Sequence, residues 1–167
     1  DGALEDREQA ERFLKIIAAQ TQRLQNLLED LLSLSRIEQE EENQQISLEP
    51  GPIREVLQSA IEVCRPKAEE KQIQVQLDCP ENLQAARNPA LLEQAVVNLL
   101  DNAIKYSPEG QPVHVEAFLE GQEVVIRVRD HGCGIPPEHL ERIFERFYRV
   151  DKARSRKLGG TGLGLAI

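Results

Sequence analysis

The sequence predicts a mixed α/β domain that follows a long amphipathic helix. Residues 6–42 contain neither proline nor glycine, and their apolar side chains recur every three or four positions, which is the period of a helix. After residue 50, segments with this helical period alternate with segments in which apolar and polar residues alternate, as in half-buried strands. With 167 residues, the chain has room for one good-sized core and an extension.

The long helix carries a near-heptad stripe of mostly apolar residues among Glu, Gln and Arg. The stripe consists of Phe13, Ile17, Gln20, Leu24, Leu27, Leu28, Leu31, Leu34 and Ile37. Because a single domain rarely needs a helix of about 35 residues, the stripe favours helix–helix packing between two chains. The alternative is a surface helix that folds back on its own domain. The polar run at 38–45 and EPGP at 49–52 end the helix, so the predicted domains are residues 1–45 and 46–167.

The second part of the chain predicts a helix, a strand, a second helix and a hairpin. The predicted elements are a helix at 53–71, a strand at 73–78, a helix from Asn88 or Pro89 to Lys105, strands at 113–121 and 123–130, and a short helix at 140–144. Asn88 is a good helix cap and Pro89 suits a first helical turn, whereas Pro66 predicts a kink or an early helix end. A turn at Glu120 and Gly121 joins the last two strands.

Charge and composition limit the function. The formal charge of −9 disfavours nucleic acid and anionic lipid as partners, so a phosphate site would need a local basic cluster. Cys64, Cys79 and Cys133 are scattered without metal-ligand spacing, which is typical of reduced thiols. No apolar run approaches the roughly 18 residues that span a bilayer, and no signal peptide opens the sequence. We therefore expect a soluble, cytoplasmic part of a protein.

Residues 98–107, NLLDNAIKYS, place polar side chains along one strip of a helix. Their spacing puts four of them near one side: Asn98, Asn102, Lys105 and Tyr106. Apolar residues with the same period lie on a neighbouring side and are expected to face the core: Leu92, Val96, Leu99 and Ala103. A helix that is packed on one side and polar on the next predicts the wall of a cleft.

Three later segments carry further candidate chemistry. DHGCGIP (130–136) combines an aspartate that can accept from an exocyclic amino group with glycines that admit a flat ring, or it is only a strand-ending turn. RFYRVDKARSRK (146–157) has six basic residues and one acidic residue. This composition indicates an anion-binding cluster, and the alternative is a solvated loop. GGTGLGLAI (159–167) predicts a phosphate cradle before a helix start, or a flexible linker. It has neither the P-loop pattern nor a Rossmann context.

Taken in order, these four segments resemble the N, G1, F and G2 boxes of sensor histidine kinases, within the GHKL superfamily of ATP-binding domains. The resemblance covers roughly residues 50–167. The helix before it, with RLQNLLEDLLSLSRIE at 23–38, resembles the second helix of the family's dimerisation and phosphotransfer domain. The resemblance implies an α+β fold. This fold is a two-layer α/β sandwich of the GHKL type, with helices on one face of a mixed sheet, preceded by a dimerisation helix.

The resemblance also implies roles on the polar helix and the aspartate turn. Asn102 would coordinate Mg²⁺ on the nucleotide phosphates, which suits the preference of this ion for oxygen ligands. The other implied contacts of ATP in these segments are Asn98 beside the metal, Lys105 at a phosphate, Tyr106 near the adenine, Asp130 at the adenine amino group, and Gly132, Gly134 and Ile135 in the same turn.

Further roles follow for the lid and the glycine loop. Arg149 and Arg154 would contact phosphates, and Phe144 and Phe147 would anchor the lid, with core packing as the alternative for the two aromatics. The loop expected to close over the triphosphate consists of Gly160, Thr161, Gly162, Leu163 and Gly164.

The implied reaction is transfer of the γ-phosphoryl group of Mg-ATP to a histidine and then to an aspartate of a response regulator. Homodimerisation through the N-terminal helix and a membrane-attached parent protein are also implied. Position 98 separates two branches of the superfamily. The ATP-hydrolysing members have a glutamate there as the general base that activates water, whereas Asn98 cannot take up a proton. A kinase that transfers phosphate to histidine needs no activated water, because neutral imidazole is itself a nucleophile. Position 98 therefore favours phosphotransfer over hydrolysis.

Two family features are absent from the sequence. No HE-x-R-T-P-like box is present, and none of His114, His131 and His139 is expected to be the phosphoacceptor. We expect the chain to begin after the acceptor helix and to stop early in the helix that follows the glycine loop. Two alternatives remain open at this point. One is a GHKL ATPase or serine kinase, and the other is a dimerising scaffold with a vestigial nucleotide site.

Overall fold

The computed structural model describes residues 7–43, 45–150 and 160–167. The elements in chain order are α1 (Arg7–Glu42), β1 (Glu49–Pro52), α2 (Ile53–Glu70), β2 (Val75–Asp78), β3 (Gln84–Arg87), α3 (Pro89–Tyr106), β4 (Val113–Glu120), β5 (Glu123–Arg129) and α4 (Pro137–Leu140). Within the described ranges, none of the helices has both the length and the apolar character of a membrane span.

A three-stranded mixed sheet forms one layer of the domain. The strand order is β2-β4-β5, in which β2 and β4 are parallel and β4 and β5 are antiparallel. Alternate residues of β4, namely Val113, Val115 and Ala117, are buried on one face, as the period of a strand requires. Gly121, with a φ of +64°, opens the two-residue connection between β4 and β5.

Helices α2 and α3 form the second layer and cover that buried face. Both helices present a stripe at helical spacing to the same core, represented by Leu57 and Ala60 of α2 and by Val96 and Leu100 of α3. Asn88 caps α3, because its Oδ1 accepts a hydrogen bond from the Leu91 N–H at 3.2 Å. The predicted two-layer α/β sandwich is therefore confirmed.

The structure corrects several predicted details. Leu99 is 38% exposed, and its neighbour Leu100 is buried instead, on the same side of α3 as the predicted core residues Val96 and Ala103. Pro66 neither kinks nor ends α2 early, since the helix continues to Glu70. The short helix lies at Pro137–Leu140, before the predicted range 140–144.

A second, two-stranded sheet was not predicted. In it β1 and β3 pair antiparallel, with Pro50 opposite Ala86 and Pro52 opposite Gln84. The sequence of β1 is EPGP, and proline lacks the N–H that a ladder needs, so strand patterns do not reveal it. A proline is tolerated because β1 has only one neighbouring strand in this sheet.

The apolar stripe of α1 divides between two surroundings. Leu34 is buried, and Leu27 and Ile37 are half-buried. The rest of the apolar stripe is exposed: Phe13, Ile17, Leu24, Leu28 and Leu31. Part of the helix thus lies against its own chain, while most of its apolar surface has no cover within the described residues.

Candidate functional site

The polar strip of α3 lies beside the glycine loop. Asn98, Asn102, Lys105 and Tyr106 are all half-buried. The Asn98 side chain donates from Nδ2 to the Gly164 carbonyl oxygen at 2.9 Å. A Cβ added to Gly164 would meet the Asn98 side chain at 3.6 Å. The two segments that were predicted to face one nucleotide are therefore in contact, through two residues that lie 66 positions apart in the sequence.

Asn102 is one turn further along α3 and has an amide available to a ligand. Its side chain is half-buried and makes no hydrogen bond with another residue of the described ranges. An amide oxygen is a ligand that Mg²⁺ accepts, and a single neutral protein ligand leaves the other positions to phosphate oxygens and water. The residues present therefore fit a magnesium ion held mainly by a substrate.

Lys105 lies where positive charge is already concentrated. Its ammonium is 5.6 Å from the centroid of the Tyr106 ring. Burial lowers the pKa of Lys105, and the nearby Arg149 guanidinium lowers this pKa further, while Asp101 acts in the opposite direction. An anion bound between the two cations would favour the charged form of Lys105, so this part of the cleft suits phosphate.

Asp130 follows β5 in an exposed turn next to the end of α3. One of its carboxylate oxygens, Oδ1, accepts a hydrogen bond from the Gly132 N–H at 2.6 Å. A Cβ at Gly132 would lie 2.7 Å from that oxygen and 3.1 Å from the Tyr106 carbonyl oxygen. A side chain at position 132 would therefore push the Asp130 carboxylate away from its present position. Gly134 has a φ of +70°, and Ile135 is exposed.

The aromatic residues of the lid are not core residues. Phe144 is 65% exposed and Phe147 is 59% exposed, so the core-packing alternative for them is wrong. Phe147 has a φ of 62°, and its N–H donates to the Gly162 carbonyl oxygen at 2.8 Å. Arg149 is half-buried and close enough to Lys105 to affect the pKa of that lysine. Arg154 lies outside the described residues.

The glycine loop is held from both sides. A Cβ at Gly162, whose φ is +79°, would lie 3.0 Å from the Phe147 carbonyl carbon. Leu163 is fully buried, so a ligand would meet its main chain and not its side chain. The Leu163 carbonyl oxygen accepts from the Ala166 N–H at 2.9 Å and from the Ile167 N–H at 3.1 Å, so residues 164–166 form a turn and not the predicted start of a helix. Gly160 is half-buried at the start of the loop.

Two polar contacts join α1 to this region. The Thr161 hydroxyl donates to Asp30 Oδ2 at 2.6 Å and accepts from the Leu163 N–H at 3.3 Å. Arg146 forms an ion pair with Glu38. The contact of Thr161 with α1 was not predicted, because no local pattern shows which residues of a long helix will meet a distant loop.

Lys71 and Ser107 were not predicted as residues of the site. Lys71 donates from Nζ to three carbonyl oxygens at the end of α3, and Ser107 is the one buried polar residue of the described ranges. A lysine at the end of a predicted helix is a common surface feature, so its sequence position gave no signal. The serine directly after NLLDNAIKY was a weak signal, because a buried polar group needs a partner.

Comparisons with known proteins agree with this arrangement. Residues 87–167 match the family described as histidine kinase-, DNA gyrase B-, and HSP90-like ATPase, and residues 2–40 match the His kinase A (phospho-acceptor) domain. The sensor-like histidine kinase SenX3 of Mycobacterium tuberculosis is 39% identical over 163 residues, which are 98% of this chain and 39% of SenX3. The chain thus spans well under half of that relative.

Two solved structures are similar to the chain over long stretches. The mycobacterial sensor histidine kinase MprB is 33% identical, with a TM-score of 0.60 over 71% of this chain and 74% of MprB. Full-length ShkA in complex with AMPPNP is 27% identical, with a TM-score of 0.69 over 96% of this chain and 33% of ShkA. Fold, motif order and sequence identity agree, and the chain belongs to the sensor histidine kinases.

Proposed function

We propose that this chain binds Mg-ATP in the cleft between α3 and the glycine loop and is the catalytic portion of a sensor histidine kinase. The observation that carries the proposal is the hydrogen bond between Asn98 and the Gly164 carbonyl oxygen, because it brings the polar strip of α3 to the glycine loop. The complex of the related ShkA with AMPPNP supports a triphosphate ligand for this cleft.

In this proposal each wall of the cleft binds one part of ATP. Asp130 accepts from the adenine amino group and is held by the Gly132 N–H, while Tyr106 packs beside the ring. Lys105 and Arg149 neutralise phosphate charge. Gly134 and Ile135 complete the base side, and the lid and loop residues Phe147, Arg154, Gly160, Thr161, Gly162 and Leu163 close over the phosphates.

Asn102 would hold the magnesium ion through its amide oxygen, with Asn98 one turn away. A bound magnesium ion supplies charge neutralisation at the phosphates. The protein has little covalent chemistry to perform, because positioning and electrostatic stabilisation account for most catalysis of phosphoryl transfer. An imidazole nitrogen bonds to the γ-phosphorus, the bond from this phosphorus to the bridging oxygen breaks, and ADP leaves.

The acceptor in this proposal is a histidine other than the three in this chain. His139 Nδ1 lies 2.6 Å from the Tyr148 hydroxyl, and His131 Nδ1 lies 3.0 Å from the Pro112 carbonyl oxygen, so both rings already have partners. His114 lies in strand β4, with its ring centroid 6.2 Å from that of His131. Incubation with labelled Mg-ATP should leave this chain without acid-labile label, and such a label would contradict this assignment.

Dimerisation and signal relay complete the proposal. The exposed apolar side of α1 supports a homodimer through this helix. The match of residues 2–40 to the phospho-acceptor domain supports relay to an aspartate of a response regulator. Membership of the sensor kinases supports a membrane-attached parent protein with this part in the cytoplasm.

Calorimetric titration of Mg-ATP into the parent chain and into Asn102→Ala tests the site. We expect the variant to bind at least about tenfold more weakly, since it loses a metal ligand. With EDTA present the two proteins should bind ATP alike, because no metal remains for Asn102 to hold. Circular dichroism checks that both are folded.

Asn82→Ala is the matched control, because Asn82 is an exposed asparagine outside the cleft. It should bind as the parent chain does. A folded parent chain that binds no nucleotide would support a scaffold with a vestigial site. Steady hydrolysis of ATP without any histidine acceptor would instead support an ATPase, although Asn98 is no general base.

A further inference from the structure

Lys71 lies at the end of α2, directly beside the end of α3. Its ammonium donates to the carbonyl oxygens of Ile104 at 2.7 Å, Lys105 at 3.0 Å and Ser107 at 2.8 Å. The last carbonyl groups of a helix lack partners within the helix and carry the negative end of its dipole. The three N–H donors of one ammonium therefore satisfy three acceptors at the end of the polar strip.

The main chain of Lys71 reinforces this contact. Its carbonyl oxygen accepts from the Gly110 N–H at 3.0 Å, in the loop that follows α3. Its own position is fixed by the end of α2, where the Gln72 N–H donates to Glu69 and the Ile73 N–H donates to Ala68. Lys71 thus connects the end of one helix to both the end of α3 and the loop beyond it.

Ser107 extends the contact to the aspartate turn. Its carbonyl oxygen accepts from Lys71, and its hydroxyl oxygen accepts from the His131 N–H at 3.4 Å. His131 is the residue directly after Asp130, and the Tyr106 carbonyl lies close to Gly132. The end of α3 and the Asp130 turn are therefore held to each other at the point where Lys71 holds α3.

We propose that Lys71 is a positioning residue for the nucleotide site. Its ammonium fixes the C-terminal turn of α3, which carries Lys105 and Tyr106, and through Ser107 it fixes the Asp130 turn. Among the described residues, the Lys71 ammonium donates to main-chain carbonyl oxygens and to none of the side chains assigned to ATP, so it acts through these residues. The inference rests on the proposed function for its nucleotide readout, but its structural readout does not need a nucleotide.

The variants are Lys71→Met, Lys71→Arg and Arg65→Met. Methionine keeps the apolar stem of Lys71 and removes its donors. Arginine keeps the charge and several donors. Arg65→Met removes one positive charge from the same helix, at an exposed side chain that pairs with Glu62 of its own helix. Urea unfolding of each protein establishes that it is folded under the conditions of the measurements.

The nucleotide readout is the ratio of the dissociation constants of Mg-ITP and Mg-ATP. Inosine lacks the amino group that Asp130 would bind, so the parent chain should bind ATP about tenfold more tightly than ITP. In Lys71→Met the affinity for ATP should fall about tenfold and the ratio should approach one, because Asp130 is no longer held in place. Lys71→Arg should restore most of the ratio. Arg65→Met should leave the ratio unchanged.

The structural readout is amide hydrogen exchange without nucleotide. Lys71→Met should speed exchange of the Ser107 and His131 amides by about tenfold or more, while amides in the first turns of α3 keep their rates. If Lys71→Met does not fold, Lys71→Arg still tests the inference. The planar guanidinium of arginine cannot match three converging carbonyl groups. Exchange of the Ser107 and His131 amides should therefore be faster than in the parent chain, by a factor smaller than about ten.

Unchanged exchange at Ser107 and His131 in a folded Lys71→Met protein would overturn the inference, whether or not ATP binds. An unchanged ratio of ITP to ATP binding, in a parent chain that distinguishes the two, would overturn it as well. A parent chain that binds neither nucleotide would refute the proposed function alone, and the exchange rates would still decide the role of Lys71.

Discussion

Lys105 is a residue whose charge the unliganded fold disfavours and the proposed ligand favours. Burial and the Arg149 guanidinium lower its pKa. The unfolded chain therefore holds this proton more tightly than the folded chain does. Folding stability consequently rises as the pH increases through the window between the lowered pKa and the ordinary value of 10.5. Below that window the unfavourable contribution of the charged Lys105 is fully present.

Replacement of Lys105 by methionine should separate binding from stability. We expect Lys105→Met to bind Mg-ATP about tenfold more weakly, because a cation at the phosphates is lost. It should also unfold at a higher urea concentration than the parent chain at pH 7, because a disfavoured charge is removed. Calorimetry and urea unfolding measure the two effects.

Lys15→Met is the control for this experiment, because Lys15 is exposed on α1 and far in sequence from the cleft. It should change neither quantity. A Lys105→Met protein that is both weaker in binding and less stable would show that Lys105 supports the fold, contrary to the expectation.

At the end of helix α2, one residue has a strained backbone conformation that a single substitution would relieve. Gln72 has a φ of 53°, which a residue with a side chain rarely adopts, and it occupies the position where helices usually end with glycine. We expect Gln72→Gly to raise the free energy of unfolding by about 0.5–1 kcal/mol, because glycine adopts this conformation without a steric penalty. Urea unfolding is the measurement.

Gln74→Gly provides the matched control two residues further along. Gln74 is also exposed but is not among the residues with positive φ. Glycine there gains nothing in the folded state and loses more conformational freedom on folding, so stability should decrease slightly. Equal effects of the two substitutions would contradict the role assigned to the backbone of Gln72.

The elements also show what sequence patterns can and cannot reveal. Helix α3 was predicted to within a residue, because Asn88, Pro89 and the helical period all agree. Strand β3, with sequence QAAR, was missed because its pattern resembles any short polar loop and its pairing depends on a distant partner. Local rules thus identify elements whose signals lie within them, whereas pairings between distant segments depend on the whole fold.

For the whole molecule, α1 has two different sides. Leu34 is buried, while Leu24 and Leu28 are exposed on the side that is expected to meet a second chain. We expect the double substitution Leu24→Glu and Leu28→Glu to raise the dissociation constant of the dimer by at least about tenfold, because two apolar side chains per chain lose their burial. Sedimentation over a range of concentrations measures the change.

The double substitution Gln22→Glu and Gln25→Glu adds the same charge to exposed positions of the same helix outside the apolar stripe. It should leave the dimer intact. A parent chain that stays monomeric at every concentration would refute dimerisation through α1.

The segments of the candidate site were predicted from the sequence, whereas the contacts between these segments became visible only in the structure. Asn98 and Gly164 were both named from the sequence, but their hydrogen bond depends on how the chain folds between them. Lys71 was missed for the same reason, because its partners lie more than 30 residues away. Sequence motifs therefore predicted the residues that are proposed to touch a ligand, and they did not predict Lys71, whose contacts depend on the fold.

The hydrogen bond from Thr161 to Asp30 has a thermodynamic consequence. A hydroxyl has one proton to donate, so a phosphate that accepts from Thr161 must displace the Asp30 carboxylate. Binding of that phosphate and attachment of α1 at Asp30 are then antagonistic. By reciprocity, the factor by which this attachment weakens the ligand equals the factor by which the ligand weakens the attachment. Binding of a ligand in the cleft would thus favour release of α1 at Asp30, and attachment of α1 at Asp30 would favour the empty cleft.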